Sequence, residues 1–367
     1  MHICFVSPRI YYYFPKYQGD RAGGSEKQQY LLSKELLSDG HKITFIVEDG
    51  SPVGNYQCCD IKATCPKPEQ NLDMYNWARM INSILNTGAD LFYVRGLPLY
   101  LVITSYTCGL RGKKVIYAVS NDWQVDPNYL SKMNSLFKKA YINSLRKSYV
   151  AVQKKRQMEL LSNNFNISSS IVPNIYKTSF EDTVSHQNRD IVLWVGRINK
   201  KQKKPELFIK LAKSLSGTKF VMIGSRQSGE EDYFTKIKNK ANYVPNLHFE
   251  GFVKPSEIEN YFVNAMMLIN TSEFEGFPNT YLEAWGNGTP VVSYNETPHE
   301  NTSLTDRDQD IIINANSFDE LKYSVRNLTD DIEKREMTAK KARNYVQTNH
   351  SPEVSYEKFL RCINQQQ

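Results

Sequence analysis

The fold of this chain is decided by one run of nine residues, Glu275-Gly276-Phe277-Pro278-Asn279-Thr280-Tyr281-Leu282-Glu283. The apolar residues 266–269 come before this run and predict a buried strand. Residues 284–293 come after it and predict a helix end, a turn and a second strand. Gly276 and Pro278 make the loop between the first strand and the helix tight and stiff. The run therefore predicts a strand–loop–helix–strand unit of an α/β protein.

The helix start within this run collects groups that suit one kind of ligand. Asn279 or Thr280 is expected to cap the helix, and Glu283 leans back toward the loop that carries Glu275. Backbone N–H groups at a helix start attract phosphate, and carboxylates accept hydrogen bonds from hydroxyls. The run indicates a ligand with hydroxyls and phosphates, unless Glu275 is only a loop acid and Glu283 only a partner of the helix dipole.

The same run resembles the motif of the retaining nucleotide-sugar glycosyltransferases of family 4, the glycosyl transferases group 1, which have the GT-B fold. The resemblance extends from Glu273 to Val292, with two glutamates separated by seven residues and Gly-Phe-Pro-Asn after the first. It implies that Glu275 contacts the transferred sugar and that Glu283 contacts the ribose. It also implies two doubly wound Rossmann-like α/β domains that face each other across a cleft.

Alternating strand and helix patterns divide the 367 residues into about two domains. Residues 1–176 are predicted to form the N-terminal domain, and the polar residues 177–189 a linker. Residues 190–351 are predicted to form the C-terminal domain. By the resemblance, the first domain binds the acceptor, the second binds the nucleotide sugar, and the last helix, within residues 352–367, returns to the first domain.

Two basic residues frame a predicted anion site early in the C-terminal domain. Residues 191–195 predict a buried strand, Arg197 lies at its end, and Lys203 lies just before the next helix. On charge alone, this segment is equally well a solvated lysine loop. The resemblance implies that Arg197 and Lys203 hold the diphosphate of the donor, and that the backbone near Phe252 and Val253 borders the nucleobase.

The N-terminal domain opens with a strand, the glycine pair Gly23 and Gly24, and a helix. Glycines at a helix start let a ligand approach the backbone, although such a pair is often only a tight turn. Family members have a glycine pair that faces the cleft, and many have a sugar-contacting His after a later strand. This chain has no His there, and Asp122 or Asn121 is the nearest substitute, unless Asp122 only caps a helix.

Net charge is +7, and the excess lies in the first half of the chain. The stretch Arg111–Arg156 holds 11 Lys and Arg residues against two Asp residues. Within it, Tyr129–Tyr149 is predicted to form a basic amphipathic helix, which either faces the core with a solvated basic side or contacts an anionic membrane. No nucleic-acid-binding motif accompanies the charge.

The sequence lacks the features that are typical of secreted or membrane-spanning proteins. No apolar run is long enough to cross a membrane, and the first residues lack the basic lead of a signal peptide. The six cysteines have neither metal-ligand nor disulfide spacing. A cytoplasmic location is expected, with membrane association as the open alternative.

The expected activity is the transfer of a sugar from a nucleotide sugar, UDP-linked, to a hydroxyl of a glycan or lipid-linked acceptor in polysaccharide synthesis, with retention. No cofactor or metal is expected, because Arg197 and Lys203 carry the charge that a metal would supply, and Asp306–Asp310 is interpreted as a solvated loop. Two alternatives stay open. One is a catalytically silent GT-B subunit that binds nucleotide sugar or membrane, and the other is a sugar-nucleotide epimerase.

Overall fold

The computed structural model describes residues 1–14, 23–51, 53–56, 59–67, 74–177, 184–227, 229–273, 275–294 and 311–364. The chain divides into two compact units. The first unit is Met1–Ile175 together with Pro352–Gln367, and the second is Tyr176–Ser351. Each unit is built around its own sheet, so each has its own hydrophobic core.

The first unit contains an eight-stranded sheet with the order β3-β4-β2-β1-β5-β6-β7-β8. Neighbouring strands pair in parallel except β3 and β4, which are antiparallel. The strands are β1 (His2–Val6), β2 (Lys42–Glu48), β3 (Gly54–Tyr56), β4 (Cys59–Cys65), β5 (Leu91–Arg95), β6 (Lys114–Ala118), β7 (Tyr149–Val152) and β8 (Ser170–Ile171).

Helices cover both faces of this sheet, because a parallel arrangement requires a crossover after each strand. They bury two apolar clusters, one on each face. The helices are α1 (Gly24–Ser38), α2 (Met74–Asn86), α3 (Pro98–Gly109), α4 (Pro127–Leu130), α5 (Ser135–Arg146) and α6 (Lys155–Phe165). Single 3₁₀ turns lie at Ile10–Tyr13 and Asp122–Gln124.

The second unit contains a six-stranded parallel sheet with the order β11-β10-β9-β12-β13-β14. Its strands are β9 (Ile191–Ile198), β10 (Lys219–Arg226), β11 (Leu247–Gly251), β12 (Ala265–Asn270), β13 (Val291–Tyr294) and β14 (Ile312–Ala315). Its helices are α7 (Pro205–Ser214), α8 (Glu231–Asn242), α9 (Ile258–Asn264), α10 (Asn279–Gly286), α11 (Phe318–Asp330) and α12 (Ile332–His350). The prediction of two Rossmann-like α/β domains is confirmed.

The last helix, α13 (Pro352–Asn364), belongs to the first unit, as predicted. Its apolar side chains Phe359, Cys362 and Ile363 are buried in the same cluster as the strands of that unit. The Tyr356 hydroxyl donates to Asp39 Oδ2 at 2.6 Å, close to the end of α1. The C-terminus is thus held by the N-terminal sheet.

Three local expectations were wrong or incomplete. The single helix predicted for Tyr129–Tyr149 is two helices, because the Asn134 side chain accepts from two backbone N–H groups and starts α5 anew. Tyr149 already belongs to β7. Helix α10 begins at Asn279 after Pro278, without a side-chain cap, so the predicted Asn279 or Thr280 cap is absent from the described hydrogen bonds. Strand β4 and helix α8 were not predicted.

No helix within the described ranges is long and apolar enough to cross a membrane.

Arg189 ties together the edge of the second sheet at which β9 begins. The residue is only 3% exposed. Its guanidinium donates at 2.9–3.2 Å to the carbonyls of Ala265, Asn287 and Gly288. These carbonyls belong to the start of β12 and to the turn that follows α10. The Arg189 side chain thus links these two segments to the start of β9, which is distant from both in sequence.

His186 lies among the cations at this edge. Burial and the nearby Arg189, Arg335 and Arg343 lower the pKa of His186 to about 4. The carbonyl of His186 accepts from Arg335 Nη2 at 2.8 Å, which keeps the ring in this environment. The imidazole is therefore neutral in the folded protein at any pH well above 4.

Replacing His186 with Gln is expected to reduce the loss of stability on acidification. The unfolded chain binds a proton at His186 near pH 6.5 and the folded protein only near pH 4, so folding loses free energy as the pH falls between these values. Because the ring is partly exposed, we expect a contribution of about 1–2 kcal/mol. Urea unfolding across this range measures it.

The matched control for this prediction is His248→Gln, at a ring whose side chain is 67% exposed in the same unit. This variant should follow the pH dependence of the unmodified protein. If His186→Gln also followed it, the buried neutral imidazole would be ruled out as a source of acid sensitivity.

Candidate active site

Two loops meet at the C-terminal edge of the second sheet. Strands β9 and β12 are parallel neighbours, so the segments that leave them emerge side by side. The Glu273 N–H donates to the Gln202 carbonyl at 2.8 Å, and the Thr271 hydroxyl donates to the Lys203 carbonyl at 2.6 Å. These two hydrogen bonds hold the two loops together in the protein without a ligand.

Lys203 and Glu275 form an ion pair across these loops. Lys203 Nζ contacts Glu275 Oε1, and the side chains are 17% and 10% exposed. The Gln202 side-chain amide donates to the second oxygen, Oε2, at 3.3 Å. The carboxylate of Glu275 is therefore held in one orientation by two donors.

Local backbone geometry sets the position of Lys203. The next residue, Lys204, has a left-handed backbone with φ of 47°, and Pro205 then starts α7. Gly196 lies beside the lysine stem, since a Cβ there would be 3.5 Å from Lys203 Cδ, an ordinary van der Waals distance. The sharp turn directs Lys203 over the end of β9.

Arg197 lies near the same edge but does not contact this pair. The residue is exposed at the end of β9, and it makes no side-chain hydrogen bond or ion pair with the residues that the structure describes. Because side chains alternate along a strand, Arg197 shares a face with Leu193 and Val195, which pack in the cluster that includes α10. The structure thus places Arg197 on the α10 side of the sheet.

Most of the segment 276–280, which leads into and begins α10, is buried. Gly276, Phe277 and Pro278 are buried, whereas Asn279 and Thr280 are half-buried. The Phe277 ring packs against Trp285 and His350, with centroids 6.3 and 4.6 Å away. The side chain of Phe277 is therefore a core element, and only its backbone is left to contact a ligand.

Glu283 lies one turn into α10 and is half-buried. Burial and, after it, the charge of Glu283 raise the pKa of Tyr176 well above its usual value, so the carboxylate lies close to this phenol. The Asn287 side chain donates to the Tyr176 hydroxyl at 3.0 Å.

Phe252 and Val253 follow β11 at the same edge of the sheet, two strands away from β9. Both are half-buried, and Val253 packs against the apolar cluster of α10. Gly251, with φ of 73°, turns the chain at the strand end. The backbone of this turn therefore lies at the edge of the sheet that also carries Lys203 and Glu275.

Asp122 is part of a buried network in the first unit. Lys154 Nζ lies 2.8 Å from Asp122 Oδ2, and the lysine side chain is 0% exposed, against 18% for the aspartate. The Gln157 side-chain amide donates to Asp122 Oδ1 at 2.9 Å. Asp122 follows β6 and Lys154 follows the neighbouring β7, so parallel pairing brings these residues together.

A second part of this network lies at the end of β5. Arg95 Nη2 and Gln153 Nε2 both donate to Asn174 Oδ1, at 2.7 and 2.9 Å. Sequence reasoning missed Arg95 and Lys154, although Arg95 ends β5 and Lys154 lies two residues after β7. A cation at such a position is the signal that could have revealed them.

The glycine pair Gly23 and Gly24 lies at the start of α1. Gly23 precedes α1, and a Cβ there would lie 2.1 Å from the Glu26 carboxylate. The Tyr13 hydroxyl donates to the Gly23 carbonyl at 2.9 Å. The space beside Gly23 is therefore occupied by Glu26, while Gly24 is the first residue of the helix.

Metal ligation was not expected, and no group of three or more His, Cys, Asp or Glu residues that could hold a metal ion occurs in the described part of the chain. The acidic segment Asp306–Asp310 lies outside the described residues.

Comparison with known proteins assigns the second unit. Residues 176–345 match the family described as Glycosyl transferases group 1. The match extends over nearly all of the second unit. The prediction of a transferase enzyme is thereby confirmed at the level of the class.

The proteins that are similar to this chain include one curated relative and two solved structures. The relative is a poly(glycerol-phosphate) alpha-glucosyltransferase of Bacillus subtilis (strain 168), 31% identical over 107 residues, a match that covers 28% of this chain and 15% of that protein. A sucrose-phosphate synthase from Thermosynechococcus elongatus is 14% identical with a TM-score of 0.79, and the match covers 100% of this chain and 98% of that chain.

The Anabaena protein HepE in complex with UDP-glucose is also 14% identical, with a TM-score of 0.74 and full coverage of both chains. At such identities these likenesses establish the fold, that of the GT-B glycosyltransferases. The retaining stereochemistry and family 4 stay predictions.

The glycosyltransferase domain contains one further polar group that the sequence did not single out. Ser272 is 1% exposed, and its hydroxyl has no hydrogen-bond partner among the described atoms. Its N–H donates to Asn270 Oδ1 at 3.1 Å, so the residue is held at the end of β12. A short serine within a loop gives no sequence signal, because only the register of β12 places it in the site.

Glu275→Gln is expected to lower the free energy of unfolding of the glycosyltransferase domain by about 1–3 kcal/mol. The substitution leaves the mostly buried Lys203 ammonium without its carboxylate, which costs more than breaking an exposed pair. Urea unfolding at pH 7 measures the change.

Glu273→Gln provides the control, since Glu273 pairs with Lys204 at 2.8 Å with side chains 58% and 43% exposed. We expect a change below about 1 kcal/mol for this variant. Equal effects of the two substitutions would show that the Lys203–Glu275 pair is no more important than a surface pair.

Proposed function

We propose that the whole chain is a retaining glycosyltransferase, which transfers a sugar from a UDP-linked donor to a hydroxyl of a glycan or lipid-linked acceptor without a metal. The observation that carries this proposal is the Lys203–Glu275 pair at the edge of a glycosyl transferases group 1 domain. The HepE complexes with UDP and UDP-glucose support the choice of donor. The glucosyltransferase relative supports an acceptor hydroxyl on a polymer or lipid-linked glycan.

The diphosphate of the donor is bound by Lys203, Arg197 and the first amides of α10. Negative charge grows on this diphosphate as the bond to the sugar breaks. Fixed donors aimed at that charge stabilise the transition state more than the ground state, and they therefore raise turnover. The ion pair with Glu275 holds the Lys203 ammonium near the strand end in advance, so little reorganisation is needed when the donor binds.

Glu275 and Glu283 bind the two sugar rings of the donor. Lys203 and Gln202 orient the Glu275 carboxylate, whose lone pairs accept from hydroxyls of the transferred sugar. Glu283 accepts from the ribose hydroxyls. The backbone near Phe252 and Val253 borders the nucleobase, and the buried Gly276–Pro278 segment keeps the α10 amides in place.

Asp122 takes the place of the His found in many family members, and it accepts a hydrogen bond from a hydroxyl of the transferred sugar or the acceptor. Lys154 and Gln157 orient its carboxylate from behind, which leaves the exposed side of the carboxylate for the ligand. Gly23 and Gly24 border the acceptor.

The configuration at the anomeric carbon is retained when the acceptor oxygen attacks the same face of the sugar from which the diphosphate departs. The bond between the anomeric carbon and the diphosphate oxygen breaks, and the acceptor oxygen forms a new bond to that carbon. The acceptor proton passes to the departing phosphate oxygen. No protein nucleophile takes part in this scheme, and Asp122 and Glu275 act by holding hydroxyls.

Arg197→Ala is expected to lower turnover at least about tenfold, which corresponds to the loss of one charge-assisted hydrogen bond of roughly 1.5–3 kcal/mol. The measurement is the release of UDP from the UDP-sugar that stabilises the protein most in a thermal-shift screen. Lys201→Ala is the control, at an exposed lysine in the loop that follows β9. Unchanged turnover in Arg197→Ala would remove this residue from the diphosphate site.

The thermal-shift screen, together with the assay of UDP release, separates a glycosyltransferase from a silent subunit and from an epimerase. Binding of a UDP-sugar without any release of UDP, even with acceptor extracts, would indicate a silent subunit. A changed sugar still attached to UDP would indicate an epimerase, and no binding of any UDP-sugar would overturn the proposal.

Asp122→Asn is expected to lower turnover by at least about tenfold while the affinity for UDP stays unchanged, because the proposed UDP site lies in the other unit. Asp126→Asn is the control in the same segment, since Asp126 only caps α4, with Oδ1 2.8 Å from the Asn128 N–H. Calorimetry with UDP and steady-state release of UDP test both variants. A loss of UDP affinity in Asp122→Asn, or unchanged turnover, would contradict the assigned role.

A further inference from the structure

Helix α3 ends in two exposed apolar side chains. Tyr100, Leu101, Thr104 and Cys108 are buried in the first unit, and the half-buried Leu99, Val102 and Ile103 pack against the same core. Tyr106 and Leu110, in contrast, are 48% and 77% exposed. A surface helix is normally polar on its outer side, so the exposed apolar stripe formed by Tyr106 and Leu110 needs an explanation.

Helix α5 packs beside α3 and adds lysines to this stripe. The Asn143 side chain donates to the Tyr106 hydroxyl at 3.1 Å, and Lys147 Nζ lies 5.3 Å from the centre of the Tyr106 ring. Leu136, Lys139, Asn143 and Lys147 follow one another at helical spacing, and Leu136 is 75% exposed. We call the exposed apolar residues of α3 and α5 with these lysines the α3–α5 face.

The positive charge around this face is not neutralised within the segment that forms it. Arg111–Arg156 contains two acidic residues. Asp122 pairs with the buried Lys154, and Asp126 caps α4. Seven cations of the segment make no ion pair with the described residues, namely Arg111, Lys114, Lys132, Lys138, Lys139, Arg146 and Lys147.

We propose that the α3–α5 face binds an anionic lipid surface. Exposed leucines and tyrosines insert shallowly into the interfacial region of a bilayer, and flexible lysine side chains reach the headgroups beside them. The charge complementarity selects anionic lipids, with a gain of about fivefold in affinity for each lysine near the surface. The inference rests on this face alone, so it stands or fails independently of the proposed reaction.

The first test is binding of the full chain to vesicles. Vesicles of phosphatidylcholine and phosphatidylglycerol in a three-to-one ratio are compared with vesicles of phosphatidylcholine alone, by co-sedimentation. We expect at least tenfold tighter binding to the anionic vesicles, and weaker binding when salt is raised. Equal binding to the two compositions, or binding to neither, would overturn the proposal.

The second test assigns binding to this face. Lys139→Glu combined with Lys147→Glu is expected to weaken binding to anionic vesicles at least tenfold. Lys238→Glu combined with Lys240→Glu is the control, at two exposed lysines on α8 of the second unit. Circular dichroism of each variant confirms that folding is retained. Equal loss in both double variants would show that net charge alone governs binding and would refute this face as the site.

The third test separates insertion from simple attraction. Leu110→Ser combined with Leu136→Ser keeps every charge and is expected to weaken vesicle binding several-fold. Tyr243→Ser, at a side chain 85% exposed on the second unit, is the control. Unchanged binding in the leucine variant would contradict docking through the α3–α5 face. Binding of the unmodified protein to random RNA, but not to vesicles, would contradict a lipid partner.

Discussion

The parallel pairing of β9 with β12 is the constraint on which the candidate site depends. The two strands are adjacent in the sheet although more than 60 residues lie between them in the sequence. Their loops leave the sheet at one edge, and backbone hydrogen bonds join them there. The contact between Lys203 and Glu275 follows from this pairing, because each side chain belongs to one of the two loops.

Both sheets place a lysine–carboxylate pair at the edge where their strands end. In the second unit the pair is Lys203 with Glu275, and in the first it is Lys154 with Asp122. Removing such charges from water is costly unless they are paired and hydrogen-bonded. Each carboxylate accordingly has a glutamine amide as an additional donor. In both units, charge is thus concentrated where α/β folds bind ligands.

The remaining buried cations have a structural task. Arg189 binds three carbonyl groups from two segments at the opposite edge of the second sheet, where the strands begin. Because its partners are neutral, its charge also acts on neighbouring groups and helps to lower the pKa of His186. The second unit therefore has one edge that Arg189 holds together and a second edge that carries the proposed chemistry.

The sequence by itself determined the α/β class, the positions of most strands and helices, and the Glu275–Glu283 motif, because these depend on local apolar periodicity and on one short run. It did not predict the break before α5, where a single Asn134 side chain outweighs a continuous amphipathic pattern. Only the tertiary structure decided that Glu275 pairs with Lys203, that Phe277 belongs to the core, and that Lys154 holds Asp122. The physical reason is that these contacts join residues distant in the chain, and their geometry is set by strand order and burial, which local patterns do not encode.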